Sequence, residues 1–278
     1  MASNPNYYWL GHKRYIEARR IRWHGEPAEE SFWFDYWKHL VTPAYFRRAE
    51  SIDLAKDELG RILLDEMNAD GVHLEAGCGA GYWVAALRQN RLNTIGIEYS
   101  RDLVKMVKDI YPQLPVSYGD ALAIDCPGET FTSYLSFGVV EHRIEGPEPF
   151  LLEAFRVLIP GGKLIVTVPH LGPVRQAMFH LGRYSSTPPQ EPFFQYGFSI
   201  SEFSELVRKS GFIVDYTCPL YIHRLLLEEI GLFRWLSNRR GSGYWRPFVN
   251  RIFRRMDGHM LLCVGHKPLT TPISNKAK

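Results

Sequence analysis

Val72-His-Leu-Glu-Ala-Gly-Cys-Gly-Ala-Gly-Tyr82 is the stretch on which the fold turns. A short apolar run ends in an acid, Glu75, then passes through glycines at 77, 79 and 81 into the helical pattern Tyr82 to Leu87. That order reads as strand, tight loop, helix. Glycine has no Cβ, so the loop can take positive φ and let a ligand approach its backbone, while the next helix offers unpaired N–H groups. A dinucleotide fingerprint would need glycine at position 82, where this chain has Tyr82.

Length and composition frame that element. The chain has 278 residues, enough for one large α/β domain with extra segments. Hydrophobic residues make up 45% and charged residues 23%, the balance of an ordinary globular protein. No apolar run is long enough to span a bilayer, and Met1-Ala-Ser-Asn-Pro-Asn6 lacks a basic region followed by an apolar one. The expected location is therefore the cytoplasm. Cys78, Cys126, Cys218 and Cys263 form no C-x-x-C pair, so neither a disulfide framework nor a zinc site is expected. Net charge is +3 but uneven: residues 1–170 hold 18 Lys/Arg against 23 Asp/Glu, and residues 171–278 hold 15 against 7.

Downstream of the glycine loop the pattern repeats. Asn93 to Glu98 reads as a second strand ending in an acid, and Ser100 as the N-cap of a helix over Arg101 to Ile110. An acid about 20 residues past the loop is placed to accept hydrogen bonds from ribose hydroxyls, which makes Glu98 a candidate ligand and its neighbour Tyr99 a candidate packing surface. Val116-Ser-Tyr-Gly-Asp120-Ala-Leu122 reads as a third strand end and loop, and Phe131 to His142 as a fourth. Pro149 to Leu158 is an amphipathic helix, followed by the turn and apolar fifth strand of Pro160 to Pro169.

Glu75-x-Gly-x-Gly-x-Gly81, Glu98, Gly119-Asp120-Ala121 and Arg156-Val-Leu-Ile-Pro-Gly-Gly-Lys163 together resemble the motifs of class I S-adenosylmethionine-dependent methyltransferases, in family order from Val72 to Pro169. The final Glu141-His142 resembles the quinone-biosynthesis and small-molecule branch. The resemblance implies a Rossmann-like seven-stranded sheet, order 3-2-1-4-5-7-6 with strand 7 antiparallel, and helical caps. It implies S-adenosylmethionine as cofactor, held by Glu75, Ala76, Gly77, Cys78, Gly79, Gly81, Glu98, Tyr99, Ser100, Asp120, Ala121, Phe137 and Gly138. Two departures stand out. Thr132 replaces an Asp common in relatives, and Gly138 replaces the acid by which some quinone enzymes hold a divalent metal, so no metal is expected. The Asn/Asp-Pro-Pro-aromatic tetrad of relatives acting on amide or base nitrogens is also missing.

Methyl transfer from a sulfonium is an in-line displacement, accelerated largely by alignment. A hydroxyl acceptor must also lose a proton, which makes His142 a candidate base and Glu141 its partner; a structural His142 is the alternative reading. The Pro-rich insert of residues 170–199 reads as a lid, with His170, Tyr184, Glu191, Phe194 and Tyr196 as substrate candidates. Residues 1–70 read as two or three helices whose rings either line a pocket or pack onto the sheet, the second reading being preferred. Residues 71–218 and 258–267 form the expected core: Ser199 to Asp215 gives a capped helix, a glycine and strand six, and Gly258 to His266 a seventh strand at the sheet edge. Residues 219–257 are a basic insert, with seven arginines and no acid from Arg234 to Arg255. A cap helix with its arginines in water is the first reading; peripheral membrane contact or a lipid-linked substrate through residues 233–256 is the second. The tail, 268–278, reads as disordered.

The expected function is O-methylation of a small or lipid-linked acceptor. An RNA methyltransferase using the basic insert, and a module that binds cofactor or partner without turnover, are the alternatives.

Overall fold

The computed structural model describes residues 12–231, 233, 235 and 256–269. Strands β3 (Val72–Ala76), β4 (Asn93–Glu98), β5 (Val116–Tyr118), β6 (Phe131–Phe137), β7 (Leu158–Pro169), β9 (Ile213–Leu220) and β10 (Met260–His266) form one sheet in the order β5-β4-β3-β6-β7-β10-β9. The first five pair parallel, and β10 runs antiparallel to both β7 and β9. This is the Rossmann-like order expected from the motifs. One detail is corrected: β10 lies inside the sheet and β9 is the edge. Leu261, Leu262, Cys263 and Val264 are buried on both faces of β10, whereas β9 is exposed or half-buried along most of its length, with Ile213 and Tyr216 exposed. All four cysteines are free thiols.

The crossover helices α4 (Tyr82–Gln89), α5 (Arg101–Ile110), α6 (Glu148–Val157) and α8 (Ile200–Lys209) cover the sheet. Caps read from the sequence are present: the Ser100 hydroxyl accepts from Leu103 N, and that of Ser199 from Glu202 N, each at 3.3 Å. Each satisfies one of the donors that a helix start leaves unpaired. The β6–β7 core buries Leu74, Tyr134, Leu151, Leu164, Val166 and Phe203 on one face, while Leu63, Leu87, Leu135 and Ile165 fill the other.

The N-terminal segment is not all helical. A hairpin, β1 (Lys13–Glu17) and β2 (Arg20–His24), precedes α1 (Glu30–Trp37), α2 (Pro43–Glu50) and α3 (Glu58–Glu66). Residues 170–199 are not a bare loop either: they form α7 (Pro173–His180) and β8 (Phe193–Phe198), and β8 pairs antiparallel with β2. The two caps therefore share a three-stranded sheet, β1-β2-β8, which buries Ile21, Trp23 and Phe194. From residues 219–257 the described part includes α9 (Ile222–Glu229); the seven arginines of that insert, Tyr7, Tyr8 and Trp9, and tail residues 270–278 lie outside the described residues.

A buried ionic cluster ties the caps to the core. Arg175 on α7 is fully buried and pairs with Glu228 at 3.1 Å and Glu229 at 3.0 Å, and Arg14 on β1 pairs with the same two acids at 2.8 and 2.6 Å. His259 reaches Glu228 at 2.8 Å, and the Tyr184 hydroxyl donates to Glu229 at 3.0 Å. Opposed cations hold Glu228 far below the ordinary carboxylate range despite its burial.

Candidate functional site

A cavity of about 1260 Å³ opens at the carboxyl ends of β3, β4, β5 and β6, under α1 and α2. It exceeds the ~300–1,000 Å³ usual for one small ligand, so it has room for a cofactor and an acceptor together.

Its floor is the glycine loop. Gly77 N and Cys78 N both donate to Ile97 O at 2.9 Å, and Gly79 N donates to Glu98 Oε2 at 2.9 Å. Glu98 Oε1 accepts from Ser100 N at 2.9 Å, so one buried carboxylate ties the first loop to the start of α5. Gly79 has φ +53°, and a Cβ there would meet the Trp37 ring at 2.8 Å, which is how the cap closes down on the loop. Gly81 does a different job: a Cβ there would strike Leu114 and Val116 at 2.9 Å, so this glycine packs α4 against β5 and lies off the cavity wall.

Among the sequence candidates for cofactor contact, Glu75, Gly77, Cys78, Gly79, Glu98, Tyr99, Ser100, Asp120, Ala121, Phe137 and Gly138 line this one cavity. Ala76 does not: it is fully buried in β3, and its carbonyl accepts from the Ser136 hydroxyl at 3.1 Å. Asp120 accepts from Leu122 N at 2.9 Å, an Asx turn that fixes its carboxylate at the β5 end. Tyr99 is half exposed at the rim.

Glu75 is only partly satisfied, its carboxyl meeting the Val84 backbone N–H. Its side chain is buried and its Oε2 has no hydrogen-bond partner. Burial first, and then the nearby Glu98 charge, raise its carboxyl well above the ordinary range. A buried acid with an unpartnered oxygen in a cavity wall is a place for a cation.

His142 also lines the cavity. Its Nδ1 lies 3.0 Å from Phe194 O. A carbonyl only accepts, so this nitrogen carries the proton and Nε2 keeps a lone pair. Trp33 and Phe194 pack edge-on to the ring, each with centroids 4.9 Å away. Burial pushes the imidazole down to about 4, so it is neutral near pH 7. Glu141 is corrected: it is buried beneath the loop rather than on the cavity wall, its Oε2 has no partner, and burial pushes its carboxyl up to about 8.

None of the five substrate candidates from the lid lines the cavity. His170 is buried 3.1 Å from Asp257, Tyr184 belongs to the ionic cluster, and Glu191 pairs at the surface with Lys13 at 2.5 Å. Tyr196 is buried and donates to Ile144 O at 2.8 Å, and Phe194 stands behind His142. Pairing of β8 with β2 turned these side chains into packing and left the roof to α1 and α2, which supply Trp33, Phe34, Trp37, Tyr45 and Arg48. The first three stood in the aromatic run that the sequence displays, although packing was the preferred reading. Arg48, Tyr82 and Trp83 carried no motif signal.

Comparison with known proteins agrees with this geometry. A family profile described as "Methyltransferase domain" matches residues 74–166. A "Probable S-adenosylmethionine-dependent methyltransferase" of Mycolicibacterium smegmatis is 30% identical over 203 residues, covering 73% of this chain and 67% of that protein. The chain belongs to the S-adenosylmethionine-dependent methyltransferase family. A similarly described protein of Mycobacterium tuberculosis H37Rv is 28% identical over 148 residues, 53% of this chain and 51% of that protein, so the match spans about half its length. In the solved complex between the Haloferax volcanii Trm112 methyltransferase activator and a methyltransferase, a chain superposes with TM-score 0.57 at 18% identity, covering 86% of this chain and 98% of that chain. At that identity the likeness concerns the fold. S-adenosylmethionine is thus the cofactor, and the chain is an enzyme. The residues fit it: a buried acid with one unpartnered oxygen suits its ammonium, and the side-chain-free loop suits close approach. No described helix is long and apolar enough to cross a membrane.

Proposed function

We propose that this methyltransferase acts on a hydroxyl oxygen of a small or lipid-linked organic acceptor, with Glu75 on the cofactor's ammonium, Glu98 on its ribose, Asp120 and Ala121 at its adenine, and His142 as the base. Bound there, the cofactor supplies the sulfonium methyl group. Glu98, anchored by two backbone N–H groups, retains one lone pair on each oxygen for a hydroxyl. Trp33, Phe137 and Val139 line the cavity with His142 and give the acceptor an apolar wall there.

The observation that carries the reading is the tautomer of His142. Its Nδ1 proton is committed to Phe194 O, so the second nitrogen can only accept. A weak base suits an acceptor that gives up its proton readily. A base pushed to about 4 is about 6 units short of a phenol-like hydroxyl and about 12 short of an unactivated alcohol comparable to water. At about 1.36 kcal/mol per unit, the alcohol is harder by about 8 kcal/mol. The reading therefore favours an acidic hydroxyl: a phenol, an enol or a carboxylic acid. The aromatic roof suits a flat ring. Screening phenolic, enolic, carboxylic and aliphatic-alcohol acceptors for methyl transfer tests it; turnover confined to amines or to aliphatic alcohols refutes it.

A further inference from the structure

The group that fixes the His142 tautomer lies outside residues 74–166, the span of the family profile. Phe194 O, 3.0 Å from His142 Nδ1, belongs to β8, and β8 pairs with β2 of the N-terminal hairpin. That pairing is irregular at one place. Trp23 faces Gln195 and His24 faces Phe193, so the register slips and Phe194 is the extra residue of β8. A β-bulge of this kind frees a group from the ladder and re-aims it. The side chains record the slip: Phe193 and Tyr196 pack ring against ring with centroids 4.6 Å apart, although an unbroken strand would put residues three apart on opposite faces. The end of β2 pins the bulge from the far side. Gly25 N donates to Pro192 O, and His24 Nδ1 donates to Glu191 O, each at 2.9 Å.

A second contact holds the same loop two residues further on. The Tyr196 hydroxyl donates to Ile144 O at 2.8 Å, and the guanidinium groups of Arg20 and Arg22, both on β2, lie 4.8 and 5.4 Å from the centre of the Tyr196 ring. Phe194 to His142 and Tyr196 to Ile144 are therefore two points of one clasp between β8 and the loop after β6. Trp33, edge-on at 4.9 Å, closes the imidazole in from α1. A displacement of about 1 Å in a reacting group can cost about 10²-fold in rate, so a clasp at this loop bears on chemistry as well as on packing.

We infer that the N-terminal hairpin positions the base: by setting the bulge in β8 it aims the Phe194 carbonyl at His142, and Tyr196 is the positioning residue that fixes the same loop at Ile144. The inference rests on the proposed role of His142. It gives the β1-β2-β8 sheet a part in the reaction although none of its three strands touches the cofactor loop.

Nitrogen NMR of the full chain with isotope-labelled histidine reads the tautomer near pH 7 without any acceptor, the His142 signal being the one lost in His142→Ala. The wild type shows one tautomer, protonated at Nδ1 and bare at Nε2. Tyr196→Phe mixes the two tautomers, and with phenol as acceptor its kcat falls about 2- to 10-fold, the range for one neutral hydrogen bond, while S-adenosylhomocysteine affinity is unchanged. His24→Ala shows the same signs, and His24→Asn, whose amide N–H can reach Glu191 O, restores the wild-type tautomer. In a His142→Ala background Tyr196→Phe lowers kcat no further, as expected of a residue that acts through His142. A wild-type tautomer and kcat in Tyr196→Phe, or an equal fall in both backgrounds, overturns the positioning role and leaves the base standing. Wild-type turnover by His142→Ala removes the base, and the positioning role with it.

Discussion

Glu98→Ala perturbs the site at its most connected point. The carboxylate accepts from Gly79 N and Ser100 N, both at 2.9 Å and both buried. Removing it strands two donors at about 1–3 kcal/mol each, or about 2–6 kcal/mol of stability. For a chain of this size each kcal/mol moves the melting temperature by about 2–4 °C, so apo protein should melt at least about 4 °C lower. The ligand suffers separately. Loss of two hydrogen bonds to a charged acceptor, about 1.5–3 kcal/mol each, weakens S-adenosylhomocysteine by about 10²-fold or more. Glu98→Gln divides the two effects: it keeps shape and one accepting oxygen but turns an amide N–H₂ toward a backbone donor. Scanning calorimetry of apo protein and titration calorimetry with S-adenosylhomocysteine, on both variants, check these magnitudes. Unchanged ligand affinity in a folded Glu98→Ala variant refutes the ribose assignment, whatever happens to its melting temperature.

Other substitutions have signed outcomes. His142→Ala should lower kcat by about 10²- to 10⁴-fold and leave S-adenosylhomocysteine affinity intact, measured by single turnover and calorimetry. Because His142 is pushed down to about 4, its limb of the pH–rate profile should fall only as pH drops toward 4, with no break near 6.5. Glu141 is an acid whose folded pKa is raised to about 8 by burial, so its stabilising effect is full below about 4.5 and is lost as pH rises toward 8. Glu141→Gln should remove that slope and raise the melting temperature at pH 8 but not at pH 4, by at most about 5 kcal/mol of stability. Arg175→Met leaves Glu228 and Glu229 short of a buried cation and should cost about 3–5 kcal/mol in urea unfolding, a loss that neutral substitution of the exposed Arg19 should not reproduce.

The core was legible because its signals are local. Val72 to Tyr82 carries strand, loop and helix start within eleven residues, and Ser100 and Ser199 announce their helices by side chains that bond three residues ahead. Sheet order came with the resemblance of the motifs to the methyltransferase family, and the parallel β-α-β units observed agree with it. The hairpin was missed although Arg20-Ile-Arg-Trp-His24 alternates with period two, because its turn at Ala18-Arg19 has no Gly, Asn or Asp; Ala18 takes φ +52° without that cue. Its partner β8 lies about 170 residues away, and pairing at such separation leaves no local trace. Without that pairing the segment after strand five reads as a lid over the acceptor, which is why His170, Tyr184, Glu191, Phe194 and Tyr196 stood as substrate candidates. Arg48 was hidden for a related reason, since α2 meets α4 only in three dimensions.

A crystal structure with S-adenosylhomocysteine bound tests the account most directly. It should show the ammonium on Glu75 Oε2, the ribose hydroxyls on Glu98 and the adenine beside Asp120 and Ala121, with the sulfur facing His142. A nucleoside bound elsewhere, or one in this cavity with Glu75 and Glu98 turned away from it, would contradict the account.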